Sequence, residues 1–353
     1  MSASSPPEPS SAKPPAPLPS SPAAPPARES VVVARGLTKR FGRFTAVDRL
    51  DLTIGKGEVV GFIGPNGAGK STTIRMLCAL LTPSAGAASV AGYDVAREPE
   101  SVRTHIGYMS QKFSLYDDLT CRENLRFFAG IYRVPRALLA ERMQFAIAMA
   151  GIEGREDALV RTLAGGWRQR LALGCAILHR PPVLFLDEPT SGVEPQARRR
   201  FWDLIHQLAG DGVTVLVSTH YMDEAEYCNR IALIDAGRLI TVGSPSQLRS
   251  ERLGGQLFEV SCAMLGEAVA LLRTMPAVRD AAIFGDKLHV LVADAGDMPA
   301  ASVAAALPAR LAQAGIEAST PQPIRPGLED VFVQLVSREN RRATSERTGG
   351  GAA

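Results

Sequence analysis

An α/β fold, with a mostly parallel sheet and helices on both faces, is what the sequence predicts, and three observations predict it. The apolar run Val59–Ile63 passes at Gly64 into a glycine-rich turn and then into a helical stretch, Ser71–Leu80. Pro182–Asp187 is an apolar run of strand length that reads as a buried strand, and Val213–Ser218 reads as another strand. Helical stretches separate the runs, over much of Glu98–Ala150 and again over Gln196–Leu208, and such alternation builds a parallel sheet.

The remaining elements follow in chain order. Residues 1–29 are mostly Pro, Ser and Ala, bury too little apolar surface to fold and are expected to form a disordered arm. The first domain is expected over residues 30–252. Val31–Ala34 reads as a strand, as does Ala46–Ile54, whose alternation turns the apolar side chains to one face. Gly55-Lys56-Gly57 turns the chain into the Val59–Ile63 run, and Ile106–Met109 interrupts the helical section. After Val213–Ser218 come a helix near Asp223–Tyr227 and short strands at Ile231–Ile234 and Leu239–Val242. A smaller α/β domain is expected over residues 253–338. Its strands are Leu257–Val260 and Leu288–Val292, its helices Leu265–Thr274 and Ala301–Gln313, and Leu328–Val336 closes it as a helix. Residues 339–353 are polar and glycine-rich and are expected to be disordered.

Composition narrows the class. A length of 353 residues allows about two domains. A net charge of +3 is too small to argue for a nucleic-acid partner. Cys78, Cys121, Cys175, Cys228 and Cys262 are scattered, never at zinc spacing, and suit the cores of a protein in a reducing compartment. No apolar run approaches the ~18 residues that span a bilayer, and no secretory signal precedes the fold, so a soluble cytoplasmic chain is expected. Trp202 reads as core, Arg198-Arg199-Arg200 as a solvated helix face, and His105, His179, His206 and His289 form no ligand cluster.

The turn after Ile63 carries the chemistry. Gly64-Pro65-Asn66-Gly67-Ala68-Gly69-Lys70-Ser71, followed by Thr72, is G-x-x-x-x-G-K-S between a strand and a helix, the phosphate-binding P-loop. Its glycines let the backbone curl so that successive N–H groups point inward at a polyphosphate, and the helix adds its positive dipole end. Lys70 can reach the β- and γ-phosphates, and the Ser71 hydroxyl can ligate Mg²⁺. Asp187 ends an apolar strand, where a carboxylate can hold Mg²⁺, and Glu188 beside it can take a proton from an attacking water. His220 closes the neighbouring run in Ser218-Thr219-His220, within reach of a γ-phosphate, and Gln111 follows Ile106–Met109, where its amide can touch the metal or orient the water.

In this order, over roughly Val31–Leu248, these motifs resemble those of the ATP-binding cassette (ABC) transporter ATPases. Gly64–Ser71 is similar to the family's Walker A loop, Gln111 to its Q-loop glutamine, Leu184–Thr190 to Walker B with catalytic Glu188, and His220 to its switch histidine. Leu163-Ala164-Gly165-Gly166-Trp167 resembles the signature, Ser191–Pro195 with Glu194 the D-loop, and Phe41 the aromatic residue that stacks on adenine. Three residues depart from the pattern. The usual L-S-G-G-Q has Ala164 and Trp167 here, and Glu194 replaces the usual Asp. Ala164 cannot hydrogen-bond a phosphate, whereas Gly165 and Gly166 still can through backbone N–H groups.

The resemblance implies ATP and Mg²⁺ as ligands, and the ABC ATPase fold with antiparallel-β and helical subdomains beside the parallel sheet. It implies a second ATP-binding subunit, identical or not, set head to tail so that ATP lies between one Walker A loop and the other signature. Pro326–Phe332 is similar to the end of exporter ATPases whose membrane part is a separate protein. The expectation is therefore the ATP-hydrolysing subunit of an ABC exporter, peripheral on the cytoplasmic face of the membrane. Separate transmembrane subunits would dock around Phe113–Leu125. The competing readings are a soluble ABC-type ATPase acting on DNA or ribosomes, a P-loop kinase, and a regulatory ATP-binding module with weak turnover. No sustained heptads separate Lys70 from Gly165, which disfavours the DNA-repair type.

Overall fold

The structure, a computed structural model, describes residues 29–112, 114–250, 254–296 and 298–337. Most of the proline-rich arm, the tail from residue 338 and Phe113 lie outside them. Glu29 accepts a hydrogen bond from the Lys56 N–H at 2.9 Å, one residue before the first strand.

β1 (Ser30–Phe41) and β2 (Phe44–Gly55) form a long hairpin. β3 (Val59–Ile63), buried at every residue, leads through the P-loop into α1 (Lys70–Leu77). That helix stops short of the expected Leu80 because Ala79 turns left-handed (φ 53°). The Ala79 and Leu80 N–H groups then return to the Met76 and Arg75 carbonyls, a Schellman closure. β4 (Ala85–Val90) and β5 (Tyr93–Asp94) join the hairpin in an antiparallel sheet of order β2-β1-β4-β5. The sequence reading missed both, because Ala and Gly in β4 lack the branched side chains that mark a strand.

α2 (Pro99–Thr104), β6 (Ile106–Met109), α3 (Cys121–Ile131), α4 (Leu139–Ala150) and α5 (Gly165–Ile177) follow. Thr120 and Glu123 close a capping box on α3. α3, α4 and α5 share a core that includes Leu125, Met143, Ala146 and Leu171. β7 (Val183–Asp187), α6 (Pro195–Gly210), β8 (Thr214–Thr219), β9 (Arg230–Asp235) and β10 (Arg238–Gly243) complete the central sheet. Its order is β10-β9-β3-β8-β7-β6, with only β10 antiparallel, as expected for the fold class. Residues 222–227 form a 3-10 turn rather than an α-helix.

β11 (Gln256–Val260), β12 (Val278–Phe284), β13 (Lys287–Val292) and β14 (Gln322–Pro323) make a third, antiparallel sheet of order β12-β13-β11-β14. Alternation divides its paired strands. Phe258 and Val290 join a core of their own, whereas Leu257 and Leu291 join the core of the central sheet. A helix over residues 328–337 packs there through Leu328 and Val331, and Asp330 bonds the His289 Nδ1 at 2.5 Å. The helix expected over Ala301–Gln313 is two, Ala300–Ala305 and Leu307–Ala312. Pro308 has no N–H to continue the first one, and proline disfavours helical geometry in the residue before it.

Trp202, fully buried on α6, stacks on Tyr227 at 5.2 Å and joins α6 to the 222–227 turn. Trp202→Ala is expected to lower the unfolding free energy by about 3–5 kcal/mol in a denaturant titration, the usual cost of emptying such a site.

Candidate nucleotide-binding site

The parallel register brings the carboxyl ends of three strands level. Ile63 pairs with Thr219 and Asp187 with Ser218, so the P-loop, the Asp187-Glu188 pair and His220 open at one edge of the sheet. This is where ligands bind in open α/β sheets.

Gly64 owes its identity to packing as well as to curvature: a Cβ there would lie 2.1 Å from the Ile234 carbonyl oxygen. Gly69 needs glycine twice over, since its φ is 103° and a Cβ would meet the Ala46 carbonyl at 2.6 Å. Pro65, Asn66 and Gly67 form the exposed rim, Ala68 is buried beneath them, and α1 begins without a side-chain cap on its first-turn N–H groups. Free donors at the positive end of a helix dipole suit an anion. Ser71 and Thr72, half-buried, start the helix at that rim.

Lys70 is 4% exposed. Its Nζ donates to the Gly64 and Pro65 carbonyls at 2.8 and 3.1 Å and lies 3.3 Å from Glu188 Oε1. Gln111 Nε2 donates to Glu188 Oε2 at 2.9 Å, and His220 Nδ1 stands 3.6 Å from the same oxygen. Glu188 holds a left-handed backbone (φ 47°) that is unfavourable for a non-glycine residue. Its N–H donates to both the hydroxyl and the carbonyl of Ser218, which hold it there.

Asp187 Oδ1 accepts from Ser71 Oγ at 2.9 Å and from Ser218 Oγ at 2.7 Å. A serine hydroxyl and one carboxylate are hard oxygen donors. They fit Mg²⁺, which takes one or two protein ligands and fills its octahedron with phosphate oxygens and water. No cluster of three or more His, Cys, Asp or Glu side chains suited to a metal occurs among the described residues. Ser218 had no role in the sequence reading. Only the register, which sets it opposite Asp187, reveals one.

The other expected residues sit on separate elements. Phe41, at the tip of the β1–β2 hairpin, is 49% exposed, with Lys39 Nζ 5.2 Å from its ring centroid. Leu163 is buried in the helical core, and Ala164 caps α5 without a side-chain bond. The helix thus begins at Gly165 itself, and the Gly165 and Gly166 N–H groups fall among the first-turn donors that lack intrahelical acceptors. Trp167 lies under two guanidinium groups, Arg155 at 4.7 Å and Arg170 at 4.0 Å from its ring centroid. Glu194 faces this stretch across a groove of about 260 Å³ walled by Arg170 and Arg200. Burial, and then the neighbouring Arg200, draw the Arg170 guanidinium below its usual pKa. Arg198, read as a solvated residue, instead pairs with the buried Glu224.

Comparison with known proteins finds relatives of this chain. Residues 47–191 match the family model described as ABC transporter, and residues 168–222 match one described as AAA domain. The chain is 47% identical over 223 residues to "Probable multidrug ABC transporter ATP-binding protein YbhF" of Escherichia coli (strain K12). That match covers 63% of this chain, which spans only 39% of the relative's length. It is 36% identical over 318 residues to "Daunorubicin resistance ATP-binding protein DrrA3" of Streptomyces coeruleorubidus, covering 89% of this chain and 98% of that one. Among solved structures, a dimeric ATP-binding cassette in a post-hydrolysis state bound to ADP and Pi is 27% identical with a TM-score of 0.56. It matches over 60% of this chain and 98% of that one.

The Lys70–Glu188 pair makes a prediction of its own. Lys70→Ala should abolish Mg-ATP binding in calorimetry and also cost about 3–5 kcal/mol of stability, because it leaves Glu188 buried without its cation. Adding Glu188→Gln should restore the stability but not the binding. Wild-type affinity in Lys70→Ala would refute the assignment.

Proposed function

We propose that this chain, which belongs to the ABC transporter ATP-binding proteins, binds and hydrolyses ATP to drive an exporter whose transmembrane subunits are separate chains. One observation carries the reading. Lys70, Ser71, Asp187, Glu188, Gln111 and His220 converge at the open edge of the parallel sheet, linked by hydrogen bonds and short ionic contacts. In this reading the P-loop N–H groups and Lys70 hold the β- and γ-phosphates, and Glu188 accepts the proton of the attacking water. Ser71 and Asp187 are the residues that would hold Mg²⁺, whose charge would offset that of the phosphates. Gln111 orients the water, His220 meets the γ-phosphate, and the open face of Phe41 takes the adenine. Phosphates entering the loop compete with Glu188 for Lys70, which frees the carboxylate for its role as base.

Gly165 and Gly166 serve the site of a second subunit, an arrangement supported by the dimeric cassette to which the chain is similar. The exporter reading draws on the relatives named for multidrug transport and daunorubicin resistance. No described helix is long and apolar enough to cross a membrane, so the cargo path is assigned to separate subunits. They dock on the cytoplasmic face at the expected Phe113–Leu125 stretch, through its exposed part, where Tyr116 packs on the exposed Phe127 at 4.6 Å, since Cys121, Asn124 and Leu125 are themselves buried.

Glu188→Gln is expected to keep ATP binding and slow turnover by ~10²–10⁴, the worth of a general base. Undiminished turnover would refute Glu188 as the base, and negligible turnover in the wild type would leave the regulatory-module reading in its place. The shared site is tested by complementation between Lys70→Ala and Gly165→Asp. Gly165 suits this test better than Gly166, since a Cβ at 165 meets nothing within 4 Å, whereas one at 166 lies 3.1 Å from Ala197 Cβ. In the mixed dimer both lesions fall in one composite site and the other is intact. One nucleotide should therefore be occluded per dimer, and a verified mixed dimer that occludes none would sink the head-to-tail reading.

A further inference from the structure

We propose that Arg198 is a positioning residue for His220, acting through the ring of Tyr221. The inference rests on the reading of His220 as a residue of the nucleotide site. Arg198 lies in the first turn of α6, directly after the loop that carries Glu194, and its N–H donates to the Glu194 carbonyl at 2.9 Å. Its side chain, 18% exposed, crosses to the turn after β8. There Nε stands 3.4 Å from Glu224 Oε1, Nη1 3.5 Å from Asp223 Oδ2, and the guanidinium carbon 4.2 Å from the Tyr221 ring centroid. The Tyr221 ring in turn lies 4.1 Å from that of His220. Among the described residues His220 Nδ1 has no hydrogen-bond partner, so the Tyr221 ring and the 3.6 Å approach to Glu188 are the contacts that orient the imidazole.

Charge neutralisation alone does not account for this arrangement. Glu224 is fully buried, and Arg198 is the only cation paired with it among the described residues. A lysine could neutralise that carboxylate. Only a planar guanidinium can lie 3.4 Å from that carboxylate, in ionic contact without a hydrogen bond, and cover an aromatic face at the same time. Arg198 therefore joins three things: the loop expected to face a second subunit, the buried Glu224 and the ring against His220. Displacement of the Glu194 loop is passed to His220 through two successive contacts, Arg198 on Tyr221 and Tyr221 on His220.

Histidine-labelled NMR of the full chain tests the proposal, since there are five histidines and His220→Gln assigns the relevant signal. His206 is the internal control. Its Nε2 bonds the Tyr227 carbonyl at 2.8 Å, across the same contact between α6 and the turn. Two variants break the link without leaving a buried carboxylate unpaired: Tyr221→Leu, and Arg198→Ala combined with Glu224→Gln. In both, the His220 signal should shift, the His206 signal should stay, and kcat should fall with KM for ATP little changed, by up to the ~10²-fold cost of a misplaced group. Arg198→Lys, which keeps the charge but not the stacking, should leave kcat low.

Joint displacement of the His206 and His220 signals would show that Arg198 only fastens α6, and would overturn the proposal. So would an unmoved His220 signal with unchanged kcat in the double variant. If His220→Gln leaves turnover intact, the site reading fails instead, and the NMR result alone decides whether Arg198 sets the ring.

Discussion

A buried carboxylate organises this molecule. Asp187 is 1% exposed at the end of β7, and a charge so placed must be fully hydrogen-bonded or it destabilises the fold. Its partners come from two other elements, Ser71 at the start of α1 and Ser218 at the end of β8. Satisfying one side chain therefore sets the helix that carries the P-loop against the two strands that carry Glu188 and His220. Burial and this charge reach a neighbouring group: desolvation, and then the charge of Asp187, push the Tyr108 phenol up to about 12.

Around that anchor the contacts of the candidate site suit exchange in the proposed reading. Lys70 is held by two carbonyls and Glu188, Glu188 by Lys70 and Gln111, and each bond is one that a polyphosphate or a water could take over. The strained backbone at Glu188 belongs to the same design. Its left-handed turn aims the carboxylate back across the sheet edge toward Lys70, and Ser218 supplies the hydrogen bonds that hold it.

The departures in the α5 stretch have local physical accounts. Ala164 forgoes a side-chain cap and leaves the amide donors of the first turn available. Trp167 takes up two guanidinium groups in place of the hydrogen bonds a glutamine would make, and so ties the start of α5 to Arg155. Gly166 has a separate constraint, its closeness to Ala197, which links α5 to α6 and to the Glu194 loop.

The sequence alone determined the class of fold and pointed to most of the candidate site, because both are written locally. Continuous apolar runs mark doubly buried strands, and the P-loop, Asp187-Glu188 and His220 each sit beside a strand end, where the chain itself reveals them. What the sequence left illegible depends on neighbours distant along the chain. β4 is a strand because β1 offers it an edge, with Val32 opposite Val90, and not because Ala and Gly prefer one. Ser218 belongs to the site because the register sets it opposite Asp187. Arg198, one of three consecutive arginines, leaves the solvated face because a buried carboxylate and a tyrosine ring lie across from it. Local pattern specifies the elements, and tertiary packing decides which polar groups lose water and must find one another.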